Sequence, residues 1–335
     1  MNNMPVLQPN DLGLILSYQC NSNCAHCIYN CGTQWKDWAS EETVREALEA
    51  MQVWQPNLQV HITGGEPFLR FPLLLYAVNT ARKLGITVYL ETNAGWALRE
   101  ELVERQLRQL RQAGLAAMLI SCSPFHAESI PPERTMRLIS KSVEVFGMQR
   151  VIVYRSQWLE QMRQFGDDHS TPLKRYMEEY GPEATGRMFW QGYGLMAGGR
   201  SGYRLGYLTQ AKPPEAFRSE SCKWEILHAP HSHLDLYGNF IPAFCGGLSL
   251  GDWHNLSGLI GAYQADEYPP LLGRLIEAGS YGLYAWARDE FGYQPLTQGY
   301  VDKCHLCVDV RRHLHTCGGF NELQPDGFYE GLREF

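Results

Sequence analysis

The run LSYQCNSNCAHC sets Cys20, Cys24 and Cys27 at C-x3-C-x2-C spacing, and TGGEPFL later presents Gly64, Gly65 and Glu66. Three thiolates on one short loop can hold three corners of a cubane iron–sulfur cluster. The loop offers no fourth ligand, so one iron stays open to a substrate. Taken alone, the same spacing also suits a zinc site or free core thiols. Two glycines let the GGEP backbone come close to a bound ligand, and Glu66 can accept a hydrogen bond from an ammonium group. Alone, those four residues also make a plain turn. Cys31 is the surplus thiol of the loop and reads as a non-ligand, because a fourth ligand would close the open iron.

A second cysteine set comprises Cys222, Cys245, Cys304, Cys307 and Cys317. The C-x2-C pair Cys304 and Cys307 lets two thiolates of one turn share a metal site, and four of the five suffice for a closed cluster. A zinc site combining that pair with Cys317 and His313 or His315 is the alternative.

The elements that must position these residues are legible. Asp11 to Tyr18 predicts a strand running into the cysteine loop, and Leu58 to Thr63 a second strand delivering Gly64 to Glu66. Between them Ser40 caps a helix with Glu41 and Glu42 at its positive end and Val44, Ala47, Leu48, Met51 and Trp54 at helical spacing. The result is a βαβ unit, whose ligands belong beyond the carboxyl ends of its strands.

The rhythm continues through a helix over Leu73 to Leu84, a strand over Thr87 to Glu91, a helix over Leu98 to Ala113 and a strand over Ala117 to Ser121. A helix over Arg134 to Phe146, entered by Pro131 and Pro132, leads to a strand over Val151 to Tyr154. Five or six β/α units predict an incomplete parallel barrel. Its strand ends carry Glu91, Thr92 and Asn93, then Ser121, Ser123 and His126, then Arg155. Cys122 is expected to point away from them, because strand neighbours alternate faces.

Residues 165–220, with the GDDHST turn and the glycine-rich QGYGLMAGGRSGYRLGY, read as a loop-rich bridge. Arg187, Arg200 and Arg204 read there as solvated surface residues that could meet a carboxylate or phosphate. HSHLDLYGNFIPAFC predicts a hairpin turning at Tyr237, Gly238 and Asn239.

The chain of 335 residues is long enough for a barrel-sized domain and a smaller one, and its hydrophobic fraction is an ordinary 44%. A formal charge of −7 without a basic block argues against nucleic acid or an anionic membrane as partner. No signal-peptide pattern or membrane-length apolar run is present, so a cytoplasmic protein is expected. An oxygen-sensitive cluster in a reducing compartment fits cysteines in metal-like groups better than disulfides do.

CNSNCAHC with TGGEPFL resembles the signature of radical S-adenosylmethionine (radical SAM) enzymes. The resemblance implies a [4Fe–4S] cluster on Cys20, Cys24 and Cys27 whose unique iron is chelated by the methionyl amino and carboxylate groups of SAM. Reductive cleavage of SAM then yields methionine and a 5′-deoxyadenosyl radical that abstracts hydrogen from an unactivated carbon. The cofactor-binding set implied is His26, where the family usually has an aromatic against adenine, with Gly64, Gly65, Glu66, Thr92, Asn93, Ser121, Ser123 and Arg155. An electron donor such as flavodoxin or ferredoxin is implied as partner.

The C-terminal cysteines resemble the SPASM or shorter twitch auxiliary-cluster domains. A full SPASM domain carries seven cysteines for two clusters, so five imply one auxiliary cluster, a [4Fe–4S] centre on Cys222, Cys245, Cys304 and Cys307. Cys317 is then free, a substitute ligand or a thiol hydrogen donor.

CNSNCAHCIYNC, TNAGW, SPFH and the C-terminal layout are together similar to radical SAM peptide epimerases of the epipeptide type. Those enzymes have an adjacent cysteine pair after the hairpin, one member returning a hydrogen atom to the product; here only Cys245 stands there. Cys245 and Cys317 are the candidate catalytic thiols.

The expected fold class is α/β, a partial (β/α)6 parallel barrel with a small C-terminal cysteine-rich auxiliary Fe–S domain. The boundaries expected are 1–164 for the core, 165–221 for the bridge and 222–335 for the auxiliary domain. The expected activity is hydrogen abstraction from a peptide, ending in epimerisation or an oxidative cross-link. The alternatives are radical modification of a small molecule, supported by the short segment before the first strand, and a non-catalytic Fe–S or zinc scaffold.

Overall fold

The first two strands of the first half are buried at every position after their first, as where a parallel sheet is covered on both faces, whereas the later strands alternate more and less buried residues. The computed structural model describes residues 6–55, 57–164 and 172–334. Two compact units form, one from Asp11–Cys24 with Cys31–Thr185, the other from Met1–Asn10, Ala25–Asn30 and Gly186–Phe335.

In the first unit, β1 (Asp11–Ile15), α1 (Glu41–Trp54), β2 (Gln59–Thr63), α2 (Phe71–Lys83), β3 (Val88–Thr92), α3 (Glu100–Ala113) and β4 (Ala117–Ser121) alternate regularly. There follow α4 (Pro124–Ala127), α5 (Pro132–Phe146), β5 (Val151–Tyr154) and α6 (Ser156–Gln164), and α7 (Pro172–Arg187) runs to the boundary. The five strands are parallel in the order β5-β4-β3-β2-β1. One register row runs Leu14, Ile62, Leu90, Met118, Val151 across the sheet. Because all five point the same way, Thr63, Thr92, Ser121 and Tyr154 end at one edge. This open parallel sheet bears out the expected α/β class.

Local chemistry explains the helices. The Ser40 hydroxyl accepts the Thr43 N–H at 3.0 Å, and Val44, Ala47, Leu48 and Met51 form the buried stripe of α1. Cys122 packs into an apolar cluster with Ala127, Leu159 and Met162.

The second unit holds α8 (Ser201–Leu205), α9 (Lys223–Leu227), β6 (His231–Asp235), β7 (Phe240–Pro242), α10 (Leu256–Gln264), α11 (Pro270–Phe291), α12 (Lys303–Cys317) and α13 (Asp326–Glu330). The antiparallel β6–β7 hairpin turns where expected, with the Asp235 carboxylate accepting the Tyr237 and Asn239 N–H groups, each at 2.9 Å.

Residues 165–220 are more helical than their glycine content suggests. They hold α7, a π-helical turn over Met188–Gly192, and α8. Gly181 interrupts α7 with φ 76°, while the glycine-rich run keeps a non-helical stretch over residues 193–200, with Gly194 and Gly199 at positive φ. The GDDHST stretch lies outside the described residues. No helix among the described residues is long and apolar enough to cross a membrane.

Candidate active site and second cysteine site

The cysteine loop leaves β1 and is pinned at its base. The Cys20 N–H donates to the Gly32 carbonyl at 3.0 Å and the Gly32 N–H to the Tyr18 carbonyl at 3.1 Å. Trp38 Nε1 donates to Gln19 Oε1 at 2.7 Å. The GGEP turn docks on the same strand exit: Gly65 N–H reaches the Ser17 carbonyl at 2.8 Å and Glu66 N–H the Gln19 carbonyl at 2.9 Å. A Cβ on Gly65 would lie 1.9 Å from the Gln19 carbonyl oxygen. The glycine therefore admits the cysteine loop's own backbone.

Glu66 is wholly buried. Its carboxylate accepts the Asn93 N–H at 2.8 Å, the Thr92 hydroxyl at 2.9 and 3.0 Å, and the Phe68 N–H at 3.1 Å. Burial raises its pKa to about 7, against the lowering effect of those hydrogen bonds. Asn93 continues the chain of contacts, its Nδ2 donating to Cys20 Sγ at 3.4 Å and to Asn21 Oδ1 at 2.8 Å. Trp96 donates to the Thr92 hydroxyl at 3.0 Å and stacks on Phe68 with centroids 3.7 Å apart. Cys24 Sγ meets the Ser22 hydroxyl at 3.0 Å.

The structure thus gathers Cys20, Gly64, Gly65, Glu66, Thr92 and Asn93 at one edge of the parallel sheet. Ser121 ends β4 at that edge. Ser123 caps α4, accepting the His126 N–H at 3.2 Å, with its hydroxyl 2.7 Å from His126 Nδ1. Burial lowers the His126 pKa to about 4, so the ring is neutral near pH 7. Arg155 folds back over the Tyr154 ring at 5.3 Å. Asn21 and Trp96 join this network through contacts that residue type and spacing do not mark: Asn21 lies in the polar loop between two cysteines, and Trp96 ends the TNAGW turn.

His26 and Cys27 are part-buried and belong to the second unit, where the tip of the cysteine loop packs. The Arg200 N–H donates to the Cys27 carbonyl at 3.1 Å, and a Cβ on Gly199 would lie 2.4 Å from that oxygen. The glycines of MAGGRSG serve this close approach. Arg200 is buried, with NH1 donating to Asn30 Oδ1 at 2.8 Å. That corrects its reading as a solvated surface residue: the guanidinium is consumed in holding the loop tip. Arg187 is exposed.

Cys222, Cys245, Cys304 and Cys307 converge in the second unit. Burial, then Cys307 and Cys245, push the Cys222 thiol up; burial pushes Cys245 up to about 12, and burial followed by Asp302 and the other three thiols raises Cys304 well above its ordinary value. Cys304 and Cys307 stand in the first turns of α12, at the positive end of the helix dipole, where Asp302 caps the Cys304 and His305 N–H groups at 2.8 and 2.9 Å. Among the described residues, no three of these sulfurs lie within 4.8 Å of one another, whereas sulfurs around one tetrahedral zinc are roughly 3.8 Å apart.

Cys317 stands apart, exposed at the far end of α12 and 3.7 Å from His313 Nε2. His313 Nε2 is 2.8 Å from the Phe291 carbonyl, and His315 pairs with Asp326 at 3.1 Å. The set Cys304, Cys307, Cys317 and His313 or His315 is therefore not brought together.

Residues 14–141 match the model of the Radical SAM superfamily, and this stretch, with its loop of three cysteines and its parallel sheet, is a radical SAM domain. YydG of Bacillus subtilis (strain 168), named for peptide biosynthesis, is 21% identical over 127 residues, a match covering 38% of this chain and 40% of that protein. The similarity thus spans about two-fifths of that relative's length. Among solved structures, BtrN in complex with AdoMet and 2-DOIA aligns with TM-score 0.49 and 12% identity over 82% of this chain and 89% of its own. The anSMEcpe structure with bound AdoMet and the Cp18Cys peptide aligns with TM-score 0.46 and 14% identity over 98% and 95% respectively.

Proposed function

We propose that the chain is a radical SAM enzyme that abstracts a hydrogen atom from a peptide substrate. The carrying observation is the join between Cys20, Asn93 and Glu66, which unites the cysteine loop, the Thr-Asn turn and a buried carboxylate at the carboxyl edge of the sheet. That edge is where ligands of parallel α/β sheets bind.

The donor set fits the groups the family implies. Cys20, Cys24 and Cys27 would hold the cluster, and Glu66, already fixed by three donors, retains acceptor capacity for an ammonium group. When bound, the cluster and SAM supply the electron and the carbon-centred radical of the reaction. The chain's own residues do the positioning. Glu66, once ionised, would accept from the ammonium group, and the Asn93 side chain gives an N–H to Cys20 Sγ. Phe68 and Trp96 stiffen the turn between them.

The four converging thiols support an auxiliary iron–sulfur cluster, a site that can accept an electron left on the substrate and so favours an oxidative outcome over epimerisation. The peptide class draws support from the likeness to YydG.

The test is anaerobic reconstitution, reduction, and assay with deuterium-labelled candidate peptides and small metabolites. Deuterium in the 5′-deoxyadenosine is expected. SAM cleavage with label transfer only from a small metabolite sinks the peptide reading, and absence of cleavage sinks the enzyme reading.

A further inference from the structure

We propose that Arg311 is the counter-charge of the four-cysteine site, stabilising its metal-bound thiolates and raising the reduction potential of the cluster they hold. This rests on reading Cys222, Cys245, Cys304 and Cys307 as iron–sulfur ligands.

Cys304, Cys307 and Arg311 fall at i, i+3 and i+7 of α12, hence on one helix face. The Arg311 side chain turns inward and is 2% exposed. Its NH1 donates to the Gly246 carbonyl at 3.1 Å and to Tyr329 Oη at 2.8 Å. Gly246 directly follows Cys245, so the guanidinium bridges the loop of one candidate ligand to the helix of two others. The Nε atom has no acceptor among the described residues.

The charge balance makes this placement informative. Neighbouring cations have carboxylates: Arg312 pairs with Asp309 at 2.8 Å and Lys303 with Glu225 at 2.6 Å. Arg311 faces Tyr329 and the Cys307 and Cys245 thiols instead. A guanidinium buried without an anion is costly. Protonated thiols offer it no charge; metal-bound thiolates do. A cubane on four thiolates carries a net negative charge that grows by one on reduction, so a desolvated cation in contact favours the reduced form more than the oxidised one.

The experiment uses the full chain with Cys20, Cys24 and Cys27 changed to alanine, reconstituted anaerobically, so that remaining cluster signal belongs to the second site. Its midpoint potential is read by dithionite titration followed by electron paramagnetic resonance. Arg311→Gln is expected to keep iron and shift the reduction equilibrium at least tenfold toward the oxidised form, about 59 mV for one electron, with Arg311→Lys restoring most of the shift. Iron lost in Arg311→Gln but kept in Arg311→Lys also supports the proposal. Full iron with an unchanged potential overturns it, as does equal iron loss in both variants, which assigns Arg311 to packing. A further Cys304→Ala that leaves iron content unchanged removes the cluster reading itself and is distinguishable from failure at Arg311.

Discussion

The carboxylate of Glu66 receives the backbone N–H of Asn93 at 2.8 Å, tying the glycine turn after β2 to the turn after β3. Both turns lie at the edge where the cysteine loop emerges, so one buried acid organises three segments.

That burial makes ligand affinity depend on pH. With its pKa raised to about 7 by desolvation, Glu66 holds its proton below that value in the free protein, and an ammonium ligand favours the ionised form. SAM affinity is expected to fall as pH drops below about 7, by up to about tenfold per unit. Glu66→Gln should bind weakly and flatten the profile in calorimetric titration. The same shift acts on stability with the sign of a raised carboxylate. The native state binds more protons between the unfolded value near 4.3 and about 7, so this group's contribution declines as pH rises through that window.

Asn93→Ala removes the donor to Cys20 Sγ and Asn21 Oδ1 and the acceptor of the Gly95 N–H, leaving the buried Cys20 sulfur and Gly95 N–H without that partner. A loss of about 1–3 kcal/mol is expected. Urea denaturation checks it, and a loss below a few tenths would show the contact to be energetically idle.

Gly65→Ala forces a methyl group to within 1.9 Å of the Gln19 carbonyl oxygen. Backbone must move at the base of the cysteine loop, for about 3 kcal/mol or more. Gly85→Ala, where no atom lies within 4 Å of the added Cβ, should cost only the strain of its left-handed backbone, about 1 kcal/mol. Melting temperatures of the two variants are expected to separate clearly.

Iron content distinguishes the C-terminal cysteines. Two four-iron cubanes give about eight irons per chain; Cys304→Ala should lower this to about four, and Cys317→Ala should leave it unchanged. Iron loss in Cys317→Ala would make that exposed thiol a ligand.

The alternation of strands and helices in the first half is legible in the chain, because periodicity, the Ser40 cap and glycine turns are local signals. The sequence also presents the cysteine loop and the GGEP turn, whose residue types declare their chemistry. Which partners those residues meet is set by the folded packing. Glu66 and Asn93 are joined by strand register, not by spacing. Gly65 and Gly199 give room to backbone segments far away in sequence, and Arg200 proved buried where its neighbourhood suggested solvent. The C-x2-C pair was visible as a motif, but its convergence with Cys222 and Cys245, the separation of Cys317 and the inward turn of Arg311 were not. Each depends on how nonlocal apolar faces pack, and a guanidinium carries no mark in sequence of whether packing will leave it in water or against a thiol.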